Sequence, residues 1–155
     1  MGYFVEYKLE LRILSKNKEK ALRIFNYLHT DEMLIKYANG GRYPRGNLTV
    51  KEAYWYSFVN NPKEEYKTLE EAFNNWHMVN KDVVCEDEKE SGDFIIKGNC
   101  DLKLGQQSFL LKNLACVLEN TRTFVKGEDG AIILWRIKDY KYYEDNIIKI
   151  CYNYI

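Results

Sequence analysis

Val5, Tyr7, Leu9, Leu11 and Ile13 alternate with Glu6, Lys8, Glu10 and Arg12 along the opening stretch. That period of two is the signature of a strand with one wet face, because successive side chains on a strand point to opposite sides. The pattern then changes to a helical one: Lys18 to His29 carries Ala21, Leu22, Phe25 and Leu28 three and four residues apart, with Ser15 or Asn17 placed to cap the first turn. A strand followed by a helix that packs back on it is the expected start.

From Thr30 to Asn80 the pattern predicts short helices and a loop. Asp31 to Ala38 reads as two helical turns closed by Asn39-Gly40, residues that tolerate the left-handed conformation at a helix end. The following loop, Gly40–Asn47, has no hydrophobic period. Thr49-Val50-Lys51-Glu52 and Thr68-Leu69-Glu70-Glu71 both fit the capping box, in which the Thr hydroxyl accepts from the backbone of the Glu and the Glu reaches back. The first helix runs through Tyr54, Trp55 and Phe58 to Asn61-Pro62; the second puts Ala72, Phe73, Trp76 and Val79 on one stripe. Residues 30–80 are therefore expected to form a helical insertion within a single domain spanning 1–155.

Asp82 to Asp101 reads as a hairpin whose tip is the charged run Glu86 to Asp93, with Phe94, Ile96, Gly98, Cys100 and Leu102 alternating along its second arm. Gln106 to Glu119 predicts an amphipathic helix burying Leu110, Leu111, Leu114, Val117 and Leu118. Arg122–Lys126 and Ala131–Lys138 predict a second hairpin around Gly127-Glu128-Asp129-Gly130, and Tyr142 begins a returning strand. Without the insertion and the last two strands, the order is the β-α-β-β-α-β arrangement of ferredoxin-like folds, an α+β class with an antiparallel sheet and two helices on one face. Ile147 to Ile155 is a long, apolar-rich terminal strand with little edge protection, which points to a homodimer paired along that edge.

The Gly127-Glu128-Asp129-Gly130 turn, the Trp135-Arg136 pair, and the Asp139-Tyr140-Lys141 turn before Tyr142-Tyr143-Glu144 resemble small uncharacterised proteins of bacteria and their phages. The likeness covers roughly the C-terminal third. It implies a bacterial or prophage setting and carries no activity with it.

Composition narrows the functional classes. The chain is neutral overall, but residues 1–63 carry a net +5, residues 64–101 a net −7 and residues 102–155 a net +2. No long basic tract of the kind that drives phosphate binding is present, so nucleic acid is not the expected partner. The acidic middle suits a protein partner, since clustered carboxylates can mimic nucleic acid in a basic groove. Cys85, Cys100, Cys116 and Cys151 show no C-x-x-C spacing. Cys100 and Cys116 read as small buried hydrophobes, and the set predicts a reducing, cytoplasmic compartment. Glu6 stands where a signal peptide needs a basic start and an apolar run, and no apolar run is long enough to span a membrane.

Four groups of residues offer chemistry. The loop Gly40–Asn47 reads either as a solvated connection or as a contact site in which Arg42 and Arg45 fork onto an anion and Tyr43 stacks; the G-K-[ST] ending of a P-loop is missing. For the aromatic run Tyr54, Trp55, Tyr56 and Phe58 two readings stand: burial of the whole run in a thick helical layer, or a helix with Trp55 and Phe58 in the core and Tyr54 and Tyr56 as an exposed patch. Glu86, Asp87 and Glu88 form the acidic hairpin tip. The pairs Glu128/Asp129 and Glu144/Asp145, with His77, are the material for a metal-dependent hydrolase, but Gly-Glu-Asp-Gly is also what a tight hairpin turn requires. His29, near a helix end, is accounted for by the helix dipole.

These residues predict a non-enzymatic protein-binding module without cofactor or metal, using Arg42, Tyr43, Arg45, Tyr54, Tyr56, Glu86, Asp87 and Glu88. Its most concrete form is a phage-encoded, anti-CRISPR-like inhibitor whose partner is a bacterial host enzyme. The alternatives are a small-anion or nucleotide binder using Gly40–Asn47, and a metal-dependent phosphoesterase.

Overall fold

The alternation that opens the chain becomes β1 (Phe4–Ile13), with Val5, Tyr7, Leu9, Leu11 and Ile13 all buried. The computed structural model describes residues 4–28, 30, 32–33, 65–75, 82–103 and 107–148. After a 3₁₀ turn (Ser15–Asn17) come α1 (Lys18–Leu28), α2 (Leu69–Asn74), β2 (Val83–Asp87), β3 (Phe94–Lys103) and α3 (Gln107–Leu114). A second 3₁₀ turn (Ala115–Val117) leads into β4 (Thr121–Gly127), β5 (Ile132–Lys138) and β6 (Lys141–Ile148). The strands form one antiparallel sheet in the order β2-β3-β1-β4-β5-β6. The architecture is α+β.

Among the described residues, α1, α2 and α3 lie against the same face of this sheet. In α1, Ala21, Phe25 and Leu28 recur at helical spacing and are buried, as the amphipathic stripe requires. Phe25 meets Phe73 of α2 at 5.1 Å, and Phe73 meets Phe94 of β3 at 5.5 Å between ring centroids, so three aromatic rings join helix, helix and sheet. Asn26 fastens the same corner: its side-chain amide donates to the Tyr66 carbonyl (2.9 Å) and its side-chain oxygen accepts from the Tyr66 N–H (2.8 Å). Thr68 caps α2 by accepting from the Glu71 N–H at 3.1 Å, as expected. Glu71 reaches back one residue further than the capping box requires, to the Lys67 N–H. Asn75 closes the helix, its N–H bonded to Ala72 and Phe73 carbonyls. The Gly40–Asn47 loop, the helix expected from Thr49, and Trp76 and Val79 lie outside the described residues.

The helix expected over Gln106–Glu119 is shorter. Its last turn tightens to 3₁₀ and Leu118 turns extended, which aims the chain into β4. Leu110, Leu111, Leu114, Val117 and Leu118 are buried as expected. Cys116 is not: it is exposed, because two residues beyond Leu114 is the far side of the helix. Among the described residues, no helix is long and apolar enough to cross a membrane.

The two halves of the sheet are joined differently from the strands within each half. β1 and β3 pair over ten residues, but β1 and β4 pair only at Val5–Gly127 and Glu6–Lys126. Beyond that, the Thr121 hydroxyl donates to the Glu10 carbonyl (2.8 Å), the Thr123 hydroxyl to the Lys8 carbonyl, and the Glu119 N–H to the Arg12 carbonyl (2.9 Å). β6 is an edge strand of the sheet. It carries Lys141, Glu144 and Asp145, and its pairing shifts at Ile132/Ile133 so that Ile147 bulges. Residues 149–155, where the dimer edge was expected to continue, lie outside the described residues.

Gly98 sits at the centre of β3 opposite Val83 with φ +156°, and a Cβ there would come within 2.1 Å of the Asp82 carbonyl oxygen. Backbone rather than a flexible side chain is in the way, so β2 must move. Gly98→Ala is expected to cost about 3 kcal/mol or more of stability, read as a lowered midpoint in urea unfolding.

Candidate functional site

The opposite face of the sheet has no helix on it among the described residues, since the buried side chains of α1, α2 and α3 all join the core on the first face. Strand parity decides which residues it presents. On β4, Val125 and Gly127 point to the core, so Arg122, Phe124 and Lys126 point outward. On β5, Trp135 and Ile137 are buried, leaving Ile132, Leu134, Arg136 and Lys138 on the open side. On β6 the register places Tyr143 beside Arg136, Asp145 beside Leu134 and Lys141 beside Lys138.

This part of the open face has an apolar centre and a basic surround. Phe124 is 54% exposed in mid-strand, directly across from Leu134 and diagonal to Ile132. Around it stand Arg122, Lys126, Arg136, Lys138 and Lys141. The Arg136 guanidinium lies 4.9 Å over the Tyr143 ring and 3.7 Å from Asp145, and Lys126 approaches Glu6 at 3.8 Å. The other half of the face, on β1, β3 and β2, mixes Glu6, Lys8, Glu10, Lys97, Asp101 and Glu86 with the aliphatic pair Val84 (52% exposed) and Ile95, and carries no exposed aromatic among the described residues.

The acidic hairpin tip is largely committed within the molecule. Arg12 forks onto Glu88 (3.1 and 3.3 Å) and also reaches Asp93 at 2.9 Å, while the Ser15 N–H donates to the other Asp93 oxygen at 2.8 Å. Lys18 pairs with Asp87 at 2.7 Å. Glu88 is thus held below the usual carboxylate range chiefly by Arg12, and Asp93 chiefly by the Ser15 N–H. Of the three tip carboxylates expected to meet a partner, Glu86 is exposed on the open face without an ion pair among the described residues. Asp87 and Glu88 instead tie the tip to the start of α1 and to β1.

The other expected site residues separate into two groups. Arg42, Tyr43, Arg45, Tyr54 and Tyr56, with His29 and His77, lie outside the described residues. The carboxylates of the metal reading are described and do not converge: among the described residues, no three His, Cys, Asp or Glu side chains gather as metal ligands would. Asp129 shapes its turn by accepting from the Ala131 N–H at 3.0 Å, and Gly130 takes the positive φ of 86°. Glu144 accepts from the Tyr142 hydroxyl, and Asp145 faces Arg136.

Two hollows are candidate ligand sites. One, between β1 and β4 and lined by Leu9, Leu11, Leu111, Thr123, Trp135 and Tyr142, has a volume of about 10 Å3, room for at most one water. The other is an open hollow of about 760 Å3 beside Arg23, Asn26 and Lys67, whose polar groups are already paired with Glu19, Tyr66 and Glu65. Neither has the convergent free polar groups of a small-molecule site. The open face of β4–β6 remains the strongest candidate.

The chain matches no known protein family, no curated protein and no solved structure.

The open face of β4–β6 was missed in sequence because Phe124 and Val125 are adjacent apolar residues, and alternation alone does not say which of them faces the core. The available signal was the company Phe124 keeps at two-residue spacing, Arg122 and Lys126.

Two measurements check this account. Because the folded pKa values of Glu88 and Asp93 are depressed, their contribution to stability is complete above about pH 5 and is lost as the pH falls through the folded values. Urea midpoints should therefore fall on acidification below about pH 5, and less steeply in Arg12→Ala. Burial pushes the Cys85 thiol up to about 12 and the Cys100 thiol up to about 11, and both are shielded, whereas Cys116 is exposed. In a Cys151→Ser background, a thiol reagent at neutral pH should label Cys116 promptly and the other two only on unfolding.

Proposed function

We propose that the chain is a non-enzymatic protein-binding module that meets its partner on the open face of β4, β5 and β6. The observation that carries this reading is Phe124, a large aromatic side chain held in mid-strand with 54% of its surface in water, beside Leu134 and Ile132 and flanked along its strand by Arg122 and Lys126. An apolar centre with a charged rim is how recognition surfaces are built, and an aromatic at the centre is the usual anchor.

The finer fold reading accommodates this. The order β2-β3-β1-β4, with α1 after β1 and α3 before β4, follows the β-α-β-β-α-β course of ferredoxin-like folds. In that reading β5 and β6 extend the sheet past β4 and add the Leu134, Arg136 and Tyr143 side of the open face. The resemblance of the C-terminal third to small bacterial and phage proteins supports a bacterial or phage setting, in which the most concrete form of such a module is a cytoplasmic, phage-encoded inhibitor that occludes a host defence enzyme; the buried thiols of Cys85 and Cys100 suit that compartment.

The test is capture from a bacterial lysate with immobilised wild type, Phe124→Ala and the control Lys20→Glu on the exposed side of α1. Wild type and the control should retain the same protein and Phe124→Ala should lose it, with thermal midpoints agreeing to within a few degrees. Capture indifferent to Phe124 would place the binding surface elsewhere.

A further inference from the structure

We infer that the segment seated on the β4–β6 face is an acidic stretch of protein with apolar anchors, in the extended pattern acidic-x-apolar-x-acidic. The inference rests on the open face being the recognition surface and adds the chemistry of what it recognises.

Strand pairing gathers cations that are scattered along the sequence and sets like charges directly opposite one another. Arg122 faces Arg136 across β4–β5, and Lys138 faces Lys141 across β5–β6. Like charges in that relation destabilise a sheet, and a carboxylate arriving between them relieves the repulsion. Arg122, Lys138 and Lys141 have no ion pair among the described residues, and Asp145 is the one carboxylate on the open side of these three strands. The face is therefore electrostatically unfinished.

The spacing specifies the rest. Arg122, Phe124 and Lys126 follow one another at two-residue intervals on β4, a repeat of about 6.8 Å, and an extended peptide laid along the strand presents its own side chains at that same repeat. An apolar side chain over Phe124, Leu134 and Ile132 then places a carboxylate on either side, one at Arg122 and Arg136 and one at Lys126.

Nucleic acid fits the same charges less well. Single-stranded sites line up several open aromatic platforms, whereas here Tyr143 already holds Arg136 on its ring and leaves Phe124 alone. Glu6 and Glu10 on the adjoining β1 would also lie in the path of a phosphate backbone. Half-buried Ile132 and Leu134 suit an aliphatic or aromatic anchor instead.

Fluorescence polarisation of the full chain at low salt tests this with three labelled probes: a short peptide repeating Glu-Ser-Leu-Ser-Glu, the same peptide with Ser in place of Leu, and a short oligothymidine. The first peptide should bind, and its affinity should drop about tenfold in Phe124→Ala and about tenfold in Arg122→Glu, while Lys20→Glu leaves it unchanged. The Leu-less peptide and the oligothymidine should both bind more weakly. Equal binding of the Leu-less peptide, or tighter binding of oligothymidine, overturns the inference. So does silence from every probe while lysate capture still depends on Phe124, and in that case the open-face reading survives. Peptide binding that ignores both Phe124→Ala and Arg122→Glu would instead overturn the open-face reading and this inference with it.

Discussion

Burial of one face of β1 is the constraint from which the rest of the structure follows. Five of its side chains, Val5 through Ile13, are at most 5% exposed, and each large apolar one contributes about 1.5–3 kcal/mol when removed from water. Helices with a single apolar stripe can cover only one side of a sheet, so α1, α2 and α3 collect where β1 needs them. The side they leave uncovered must then be made of residues that tolerate water, and Glu6, Lys8 and Glu10 on β1 satisfy that. Phe124 departs from the pattern, which is why its exposure carries functional weight.

Strong local periodicity made much of the framework legible in the sequence. The alternation of β1, the stripe of α1, the Thr68 cap and the two hairpins each depend on residues close together in the chain, where sterics and capping act directly. Less legible was whatever depends on residues far apart. The net charge of −7 over residues 64–101 looked like a surface kept for a partner, yet part of it is neutralised by Arg12 and Lys18 from the basic opening third. A sum of charges along the chain does not register a clamp across more than seventy residues.

The same limit hid the candidate site. No basic tract occurs in sequence, but register brings Arg122, Arg136, Lys138 and Lys141 onto neighbouring strands of one face. The β5–β6 turn is a further case. Asp139 and Tyr140 were expected to turn the chain, but both adopt positive φ, 52° and 63°, a conformation that bulky residues resist. The cost is offset from a distance: Asn120 accepts from the Asp139 N–H, and the Tyr140 hydroxyl donates to Glu119, which also raises the tyrosine pKa.

The join between β1 and β4 has an implication for how the molecule is put together. Two stretches of sheet, each laced by main-chain hydrogen bonds, meet along a line where threonine hydroxyls take over after the first residues. Main-chain lacing is common to all sequences, whereas a hydroxyl is a choice made at one codon. The C-terminal ribbon is thus attached like a panel on a seam, and evolution can tighten or loosen that seam stitch by stitch without rewriting the cloth on either side.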